Sequence, residues 1–225
     1  MTQPPVASIR NHVLLPVRFD DGFTTTARVF TFSGLVDGRE HLALALGERA
    51  AAVSRDPHDA PPPLVRLHSE CLTGDVLGSE RCDCGPQLAE AVREIAGAGG
   101  FLHYLRQEGR GIGLYAKIDA YALQDTGLDT YEANLALGYA ADQRDYTVAA
   151  QMLHALGADR IALLSNNPDK AAQLGRLGVT VTDRVPTGLH LTAANESYLA
   201  TKAQHGGHTL SLPAALAMSA STEAG

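Results

Sequence analysis

The chain has 225 residues, 45% of them apolar, enough for one large or two small domains with a real core. Its net charge of −7 argues against general nucleic-acid binding, which needs a basic patch, but leaves room for a local pocket that takes a small anion. No apolar run is long enough to span a bilayer, and Met1-Thr2-Gln3-Pro4-Pro5 lacks the charged and apolar regions of a signal peptide, so the expectation is a cytoplasmic protein with reduced thiols that works on no membrane.

Residues 1–8 read as a flexible arm. Strands are expected at His12–Val17, Thr24–Phe32 and His41–Leu46, with a turn at Val36-Asp37-Gly38-Arg39. Residues 47–63 form a loop that ends in Pro61-Pro62-Pro63, which forbids helix. Leu64–His68 is a short strand leading into the cysteines. After Cys84 the period changes. Gly85-Pro86 opens a helix whose face carries Leu88, Ala91, Val92, Ile95 and Ala96, and Gly97, Gly99 and Gly100 stop it. Phe101–Leu105 is a strand, Glu108–Gly113 a glycine-rich loop, and Leu114–Gln124 a helix. Gly127–Ala141 reads as irregular. A helix over Tyr146–Leu156, a strand at Ile161–Leu164, a helix from Asn167-Pro168 to about Leu177 and a strand at Val179–Val185 follow. A short helix at Glu196–Gln204 and a loose tail over 210–225 complete the chain. The pattern predicts an α/β protein: a three-layer α/β/α core with a mixed sheet, preceded by a β-rich N-terminal segment. The expected organisation is one catalytic domain over residues 9–209, with a β-rich part to 66 and the α/β core after it.

All three cysteines, Cys71, Cys82 and Cys84, fall in Arg66–Gln87 with the spacing C-x10-C-x-C. Structural cysteines scatter as small hydrophobes. Three thiolates that converge make a metal site with one vacancy, the pattern of catalytic zinc. A closed zinc site completed by His68 or another histidine is an alternative, and a disulfide a poorer one, since the odd count leaves a thiol over. Two strand–loop–helix segments could present backbone N–H groups to phosphates: Glu108-Gly109-Arg110-Gly111-Ile112-Gly113, with Lys117 nearby, and Ser165-Asn166-Asn167-Pro168-Asp169-Lys170. Neither matches a P-loop or a dinucleotide fingerprint. Asp142-Gln143-Arg144-Asp145 reads on pattern alone as a cap and a solvated face. His68-Ser69-Glu70 is half of the zinc-deaminase signature, but the other half, P-C-x-x-C, is missing. His205 and His208 read as surface residues.

H-S-E-C-L-T-G-D, R-C-D-C-G, R-Q-E-G-R-G-I-G-L, K-I-D-A-Y-A-L-Q-D, D-T-Y-E-A-N and S-N-N-P-D-K stand in one order over roughly residues 64–205. Together they resemble GTP cyclohydrolase II, a zinc enzyme that begins riboflavin synthesis. The resemblance implies hydrolysis of GTP to formate, pyrophosphate and a diaminopyrimidinone ribosyl phosphate, with Zn2+ acting on the base and Mg2+ on the triphosphate. It assigns Cys71, Cys82 and Cys84 to zinc. It places Arg66, Leu67, His68, Ser69, Glu70 and Gln87 in the GTP pocket, and Glu108, Gly109 and Arg110 by the phosphates and magnesium. Thr130, Ser165 and Lys170 complete nucleotide binding. Tyr121 stands near the base, Asp142 is the proton acceptor, and Arg144 is either a nucleophile at the α-phosphorus or an electrostatic stabiliser. A homodimer is implied as well. Ser165 replaces a more usual threonine but keeps the hydroxyl, and Gly206-Gly207-His208 replaces a methionine-containing segment. These departures leave open a paralogue that retains the formyl group. A nucleobase deaminase and a GTP-binding module without turnover are the competing readings.

Overall fold

Seven strands form one mixed sheet: β1 (Ser8–Arg18), β2 (Thr24–Ser33), β3 (Leu42–Leu46), β4 (Leu64–Ser69), β5 (Gly100–Leu105), β6 (Arg160–Leu164) and β7 (Thr180–Val185). The computed structural model describes residues 5–51, 61–140, 142–192, 194, 195 and 199. The expected helix at Glu196–Gln204, His205, His208, the tail over 210–225 and the first four residues of the arm lie outside the described residues, apart from Leu199. The strand order is β1-β2-β3-β5-β4-β6-β7. β1, β2, β3 and β5 pair antiparallel, whereas β5, β4, β6 and β7 run parallel, so the β-rich part and the α/β part share one sheet.

Side chains alternate across the sheet as the two-residue period of a strand requires. Phe30, Ala43, Val65, Leu67, Phe101, Leu105, Ile161 and Leu163 face one way. They pack on α6 (Thr147–Ala155), through Val148, Ala149, Met152 and Leu153, and on Leu174 of α7 (Pro168–Arg176). Ala27, Val29, Leu46, Leu102 and Leu164 face the other way, onto Ala91, Val92 and Ile95 of α3 (Cys84–Ala98). The three-layer α/β/α arrangement with a mixed sheet is therefore the observed one.

Several elements differ from expectation. β1 runs four residues earlier than expected, because ten of its residues pair with β2. Within the expected loop, α1 (Glu48–Ala51) makes one helical turn. A second short helix, α2 (Leu72–Asp75), follows Cys71 directly. The segment Gly127–Ala141, expected to be irregular, contains α5 (Thr130–Ala136). A capping box starts it: the Asp129 carboxylate accepts from the N–H groups of Tyr131 and Glu132, and Glu132 returns a bond to the Asp129 N–H. α4 (Leu114–Gln124) lies where expected.

His103 of β5 sits wholly inside this core, and neither ring nitrogen has a hydrogen-bond partner among the described residues. Burial, with the nearby His41 adding, pushes its pKa down to about 3. A depressed histidine keeps its contribution above the unfolded-state value near 6.5 and loses it as pH falls, because only the unfolded chain then takes the proton. Between pH 7 and pH 5 this costs about 2 kcal/mol of stability. The His103→Leu variant should lose that much less than the native chain over the same interval in urea denaturation. Equal pH slopes would contradict the assignment.

Candidate functional site

The three cysteines are free thiols whose sulfurs all lie within 4.8 Å of one another, Cys71 and Cys82 being 3.6 Å apart. Their placement follows from the backbone. Cys71 ends β4's excursion and caps α2, while Cys84 is the first residue of α3. Gly74 makes the convergence possible. A Cβ there would meet the Cys82 sulfur at 2.7 Å and the Cys71 sulfur at 3.2 Å. Gly85 allows α2 to approach α3: a Cβ would stand 2.4 Å from the Gly74 carbonyl oxygen. Hydrogen bonding from Cys82 and then Cys84 brings the Cys71 thiol well below the usual thiol range. The same bonding to Cys71 pushes Cys82 up to about 11, and Cys84 also rises. Such a set can hold a metal ion. No histidine or carboxylate joins the cluster among the described residues.

His68 is not turned toward the sulfurs. Its Nε2 bonds the Asp75 carboxylate at 3.0 Å, and Asp75 also accepts from the Cys71 N–H at 3.0 Å and the Tyr104 hydroxyl at 2.9 Å. Burial lowers the His68 pKa, which keeps the ring neutral with its proton on the nitrogen facing Asp75. Glu70 pairs with Arg106 at 2.8 Å. A closed zinc site using His68, and the deaminase arrangement of His68 and Glu70, are therefore absent among the described residues.

Behind the sulfurs lies Lys117, on the inner face of α4. Its ammonium donates to the Cys71 sulfur at 3.1 Å, Thr73 Oγ1 at 2.9 Å and Glu108 Oε1 at 2.8 Å. Burial opposes its charge, but Glu108 and Cys71 outweigh burial and raise its pKa. The sequence suggested a phosphate ligand at Lys117; the three acceptors account for its three N–H bonds instead. Glu108 is committed in the same way, since its carboxylate also accepts from the N–H groups of Leu72 at 2.7 Å and Gly109 at 3.1 Å. Tyr121 lies one turn beyond Lys117, with its hydroxyl 3.3 Å from Thr73 Oγ1. Arg81 stacks over its ring, 4.9 Å from the centroid, and bonds Asp125. Burial raises the Tyr121 pKa, so the phenol keeps its proton.

One cavity joins these groups to the rest. Arg66, Leu67, His68, Ser69, Glu70, Gln87, Glu108, Gly109, Arg110, Tyr121, Thr130, Arg144, Ser165, Lys170 and the three cysteines line it. Asp142 is not among the lining residues; it reaches the cavity through Arg144, whose Nε lies 2.9 Å from Oδ1 and whose Nη2 bonds Oδ2. Burial works against the Asp142 charge, but the bonds from Arg144 prevail and hold its carboxyl below the usual range. Arg66 is buried and gives one Nη to the Leu164 carbonyl and the other to Gln87, which is itself held by Asp83. Lys170, at the start of α7, donates to the Leu67 carbonyl at 2.6 Å, and Ser165 Oγ accepts from the Asn167 N–H. Arg110 adopts φ 59°, a left-handed conformation unusual for a residue with a side chain, and its guanidinium stacks over Tyr131 at 4.2 Å. Its carbonyl accepts from the Gln143 N–H, so the glycine-rich loop directly fixes the Asp142–Arg144 segment.

Sequence reasoning missed Thr73, Asp75 and Arg81 and misread Lys117. Thr73 and Asp75 stood inside the H-S-E-C-L-T-G-D motif and Arg81 opened R-C-D-C-G, so a signal was present for all three.

The family model for GTP cyclohydrolase II matches residues 13–186. A GTP cyclohydrolase-2 of Vibrio vulnificus (strain CMCP6) is 50% identical over 184 residues, which is 82% of this chain and 89% of that relative. One of Vibrio cholerae serotype O1 (strain ATCC 39315 / El Tor Inaba N16961) is 50% identical over 186 residues, covering 83% and 90%. The riboflavin biosynthesis protein RibBA of Bacillus subtilis (strain 168) is 50% identical over 186 residues, 82% of this chain but 45% of that longer relative. The chain belongs to the GTP cyclohydrolase II family.

Proposed function

We propose that this member of the GTP cyclohydrolase II family hydrolyses GTP, opening the imidazole ring and releasing formate and pyrophosphate to give 2,5-diamino-6-(5-phosphoribosylamino)pyrimidin-4(3H)-one. The observation that carries the reading is the meeting of three free thiols with Tyr121, Arg144 and Lys170 around one cavity. Cys71, Cys82 and Cys84 fit one zinc ion, since soft thiolates suit it and a position is left for water. Bound there, zinc would supply a Lewis acid that lets water lose a proton near neutral pH.

The chain's own residues do the rest. Arg66 and Gln87, locked to each other at 2.7 Å, form the buried wall against which the base is held. Tyr121 keeps its proton and gives it to the base as the ring opens. Asp142 is ionised at neutral pH and takes a proton from attacking water. Arg110, Ser165 and Lys170 receive the phosphates, with Thr130 at the edge. Magnesium arrives with the triphosphate, which supplies the oxygens it prefers. Glu108 stands beside that path, although most of its lone pairs are already used inside the protein. Arg144 stabilises charge at the α-phosphate. A guanidinium stays protonated, and its bonds to Asp142 reinforce that state, so it is a poor nucleophile. A homodimer is the accompanying expectation from the family resemblance, and a cytoplasmic setting with residues 9–209 as one catalytic domain is the expectation from the sequence pattern.

Tyr121→Phe tests the division between the two ends of the substrate. Formate release should fall on the order of a hundredfold, as for loss of a proton donor, with pyrophosphate release partly kept. Equal loss of both, followed in one quenched time course, would contradict it.

A further inference from the structure

Lys117 is a buried cation whose position the reaction described above does not use. Its Nζ touches Cys71 Sγ, Thr73 Oγ1 and Glu108 Oε1 at 3.1, 2.9 and 2.8 Å. Among the described residues, Cys71 is the one of the three sulfurs that a lysine contacts. Thr73 Oγ1 in turn lies 3.6 Å from the Cys71 sulfur and 3.3 Å from the Tyr121 hydroxyl. One ammonium therefore joins a metal-facing thiolate, a hydroxyl beside Tyr121, and the carboxylate that holds the Leu72 backbone.

We propose that Lys117 is the positioning residue of the metal centre, clamping Cys71 by an N–H···S hydrogen bond and offsetting the excess negative charge of the three thiolates. The inference rests on the metal reading given above. A divalent ion with three thiolates carries a net charge of −1 in a poorly solvated place, where an unpaired charge is costly. Lys117 cancels it. The N–H···S bond also draws electron density from the sulfur, so Cys71 gives less to the metal than Cys82 and Cys84 do. That keeps the metal a stronger Lewis acid than three unmodified thiolates would. Through Thr73 the same ammonium fixes the Tyr121 hydroxyl relative to the metal. Residues in this outer layer typically change metal affinity by about 10- to 100-fold.

The test uses Co(II) titration of the metal-free full chain, with zinc competition against a chelator. Withdrawing the hydrogen bond raises the energy of the sulfur electrons. In Lys117→Met the sulfur-to-cobalt charge-transfer band should therefore move to longer wavelength, and both metals should bind about 10- to 100-fold more weakly. Lys117→Met leaves Glu108 buried without its cation and could lose the fold. The pair Lys117→Met with Glu108→Gln removes both charges together and should show the same band shift. An unchanged band and unchanged affinity in either folded variant would overturn the inference while leaving the metal site standing. A native chain that takes up no cobalt and no zinc would overturn the metal reading and this inference with it.

Discussion

Cys82→Ser should leave the chain nearly free of zinc and lower formate release by on the order of a thousandfold or more. The serine hydroxyl keeps its proton at neutral pH and cannot replace a thiolate ligand, and without the metal no group in the cavity makes water acidic enough to attack C8. Cys82 is the informative position because it bonds Cys71 directly, and its sulfur lies against Gly74, where no side chain could fill the gap. Folding should survive: Cys82 lies in the bend between helices α2 and α3, outside the two apolar clusters that hold the sheet. Metal content per chain and formate yield, measured on the same preparation, check both parts. A variant with a full complement of zinc and native turnover would remove the thiols from the site.

The second large effect is expected at Arg144. Its guanidinium lines the cavity and is held in a two-pronged contact with Asp142, at 2.9 Å on one side. Arg144→Ala removes the charge that offsets the developing negative charge at phosphorus. Pyrophosphate release should drop by about a thousandfold, the scale of positioned arginines in phosphoryl transfer. Arg144→Lys should recover only part of this, since a point charge does not reproduce the fork. Mass spectrometry of acid- and base-quenched native enzyme should find no guanylyl adduct on Arg144. A covalent adduct trapped at that residue would make it the nucleophile and contradict the electrostatic assignment.

Much of the α/β half was legible because its two periods are clean. Leu88, Ala91, Val92 and Ile95 mark one helix face, and the apolar run Ile161–Leu164 marks a buried strand. The capping box that starts α5 was also written in the chain, as Asp129 and Glu132 three apart, but the glycines around it hid it. The extent of β1 was not legible, since its exposed faces follow no alternation and its length is set by pairing with β2. At the site, Cys82 and Cys84 could be read directly as a pair, because ligands one residue apart need little help from the fold, whereas the approach of Cys71 rests on Gly74 and Gly85. The tie from Lys117 to Cys71 could not: those residues are 46 apart in sequence, and only the packing of α4 behind the cysteine loop brings them together. The same holds for Asp142, whose place is fixed by the backbone of the distant Arg110.

The proposed role of the three thiols and the cavity beside them is to open the guanine ring of GTP. Mass spectrometry of the products formed from GTP by the zinc-loaded chain with magnesium tests it most directly. Formate, pyrophosphate and the deformylated diaminopyrimidinone phosphate should appear in equal amounts. A product that keeps its formyl group would contradict the full reaction and make the chain a paralogue that stops after ring opening. Unchanged GTP in a chain that carries its zinc would contradict the catalytic account altogether.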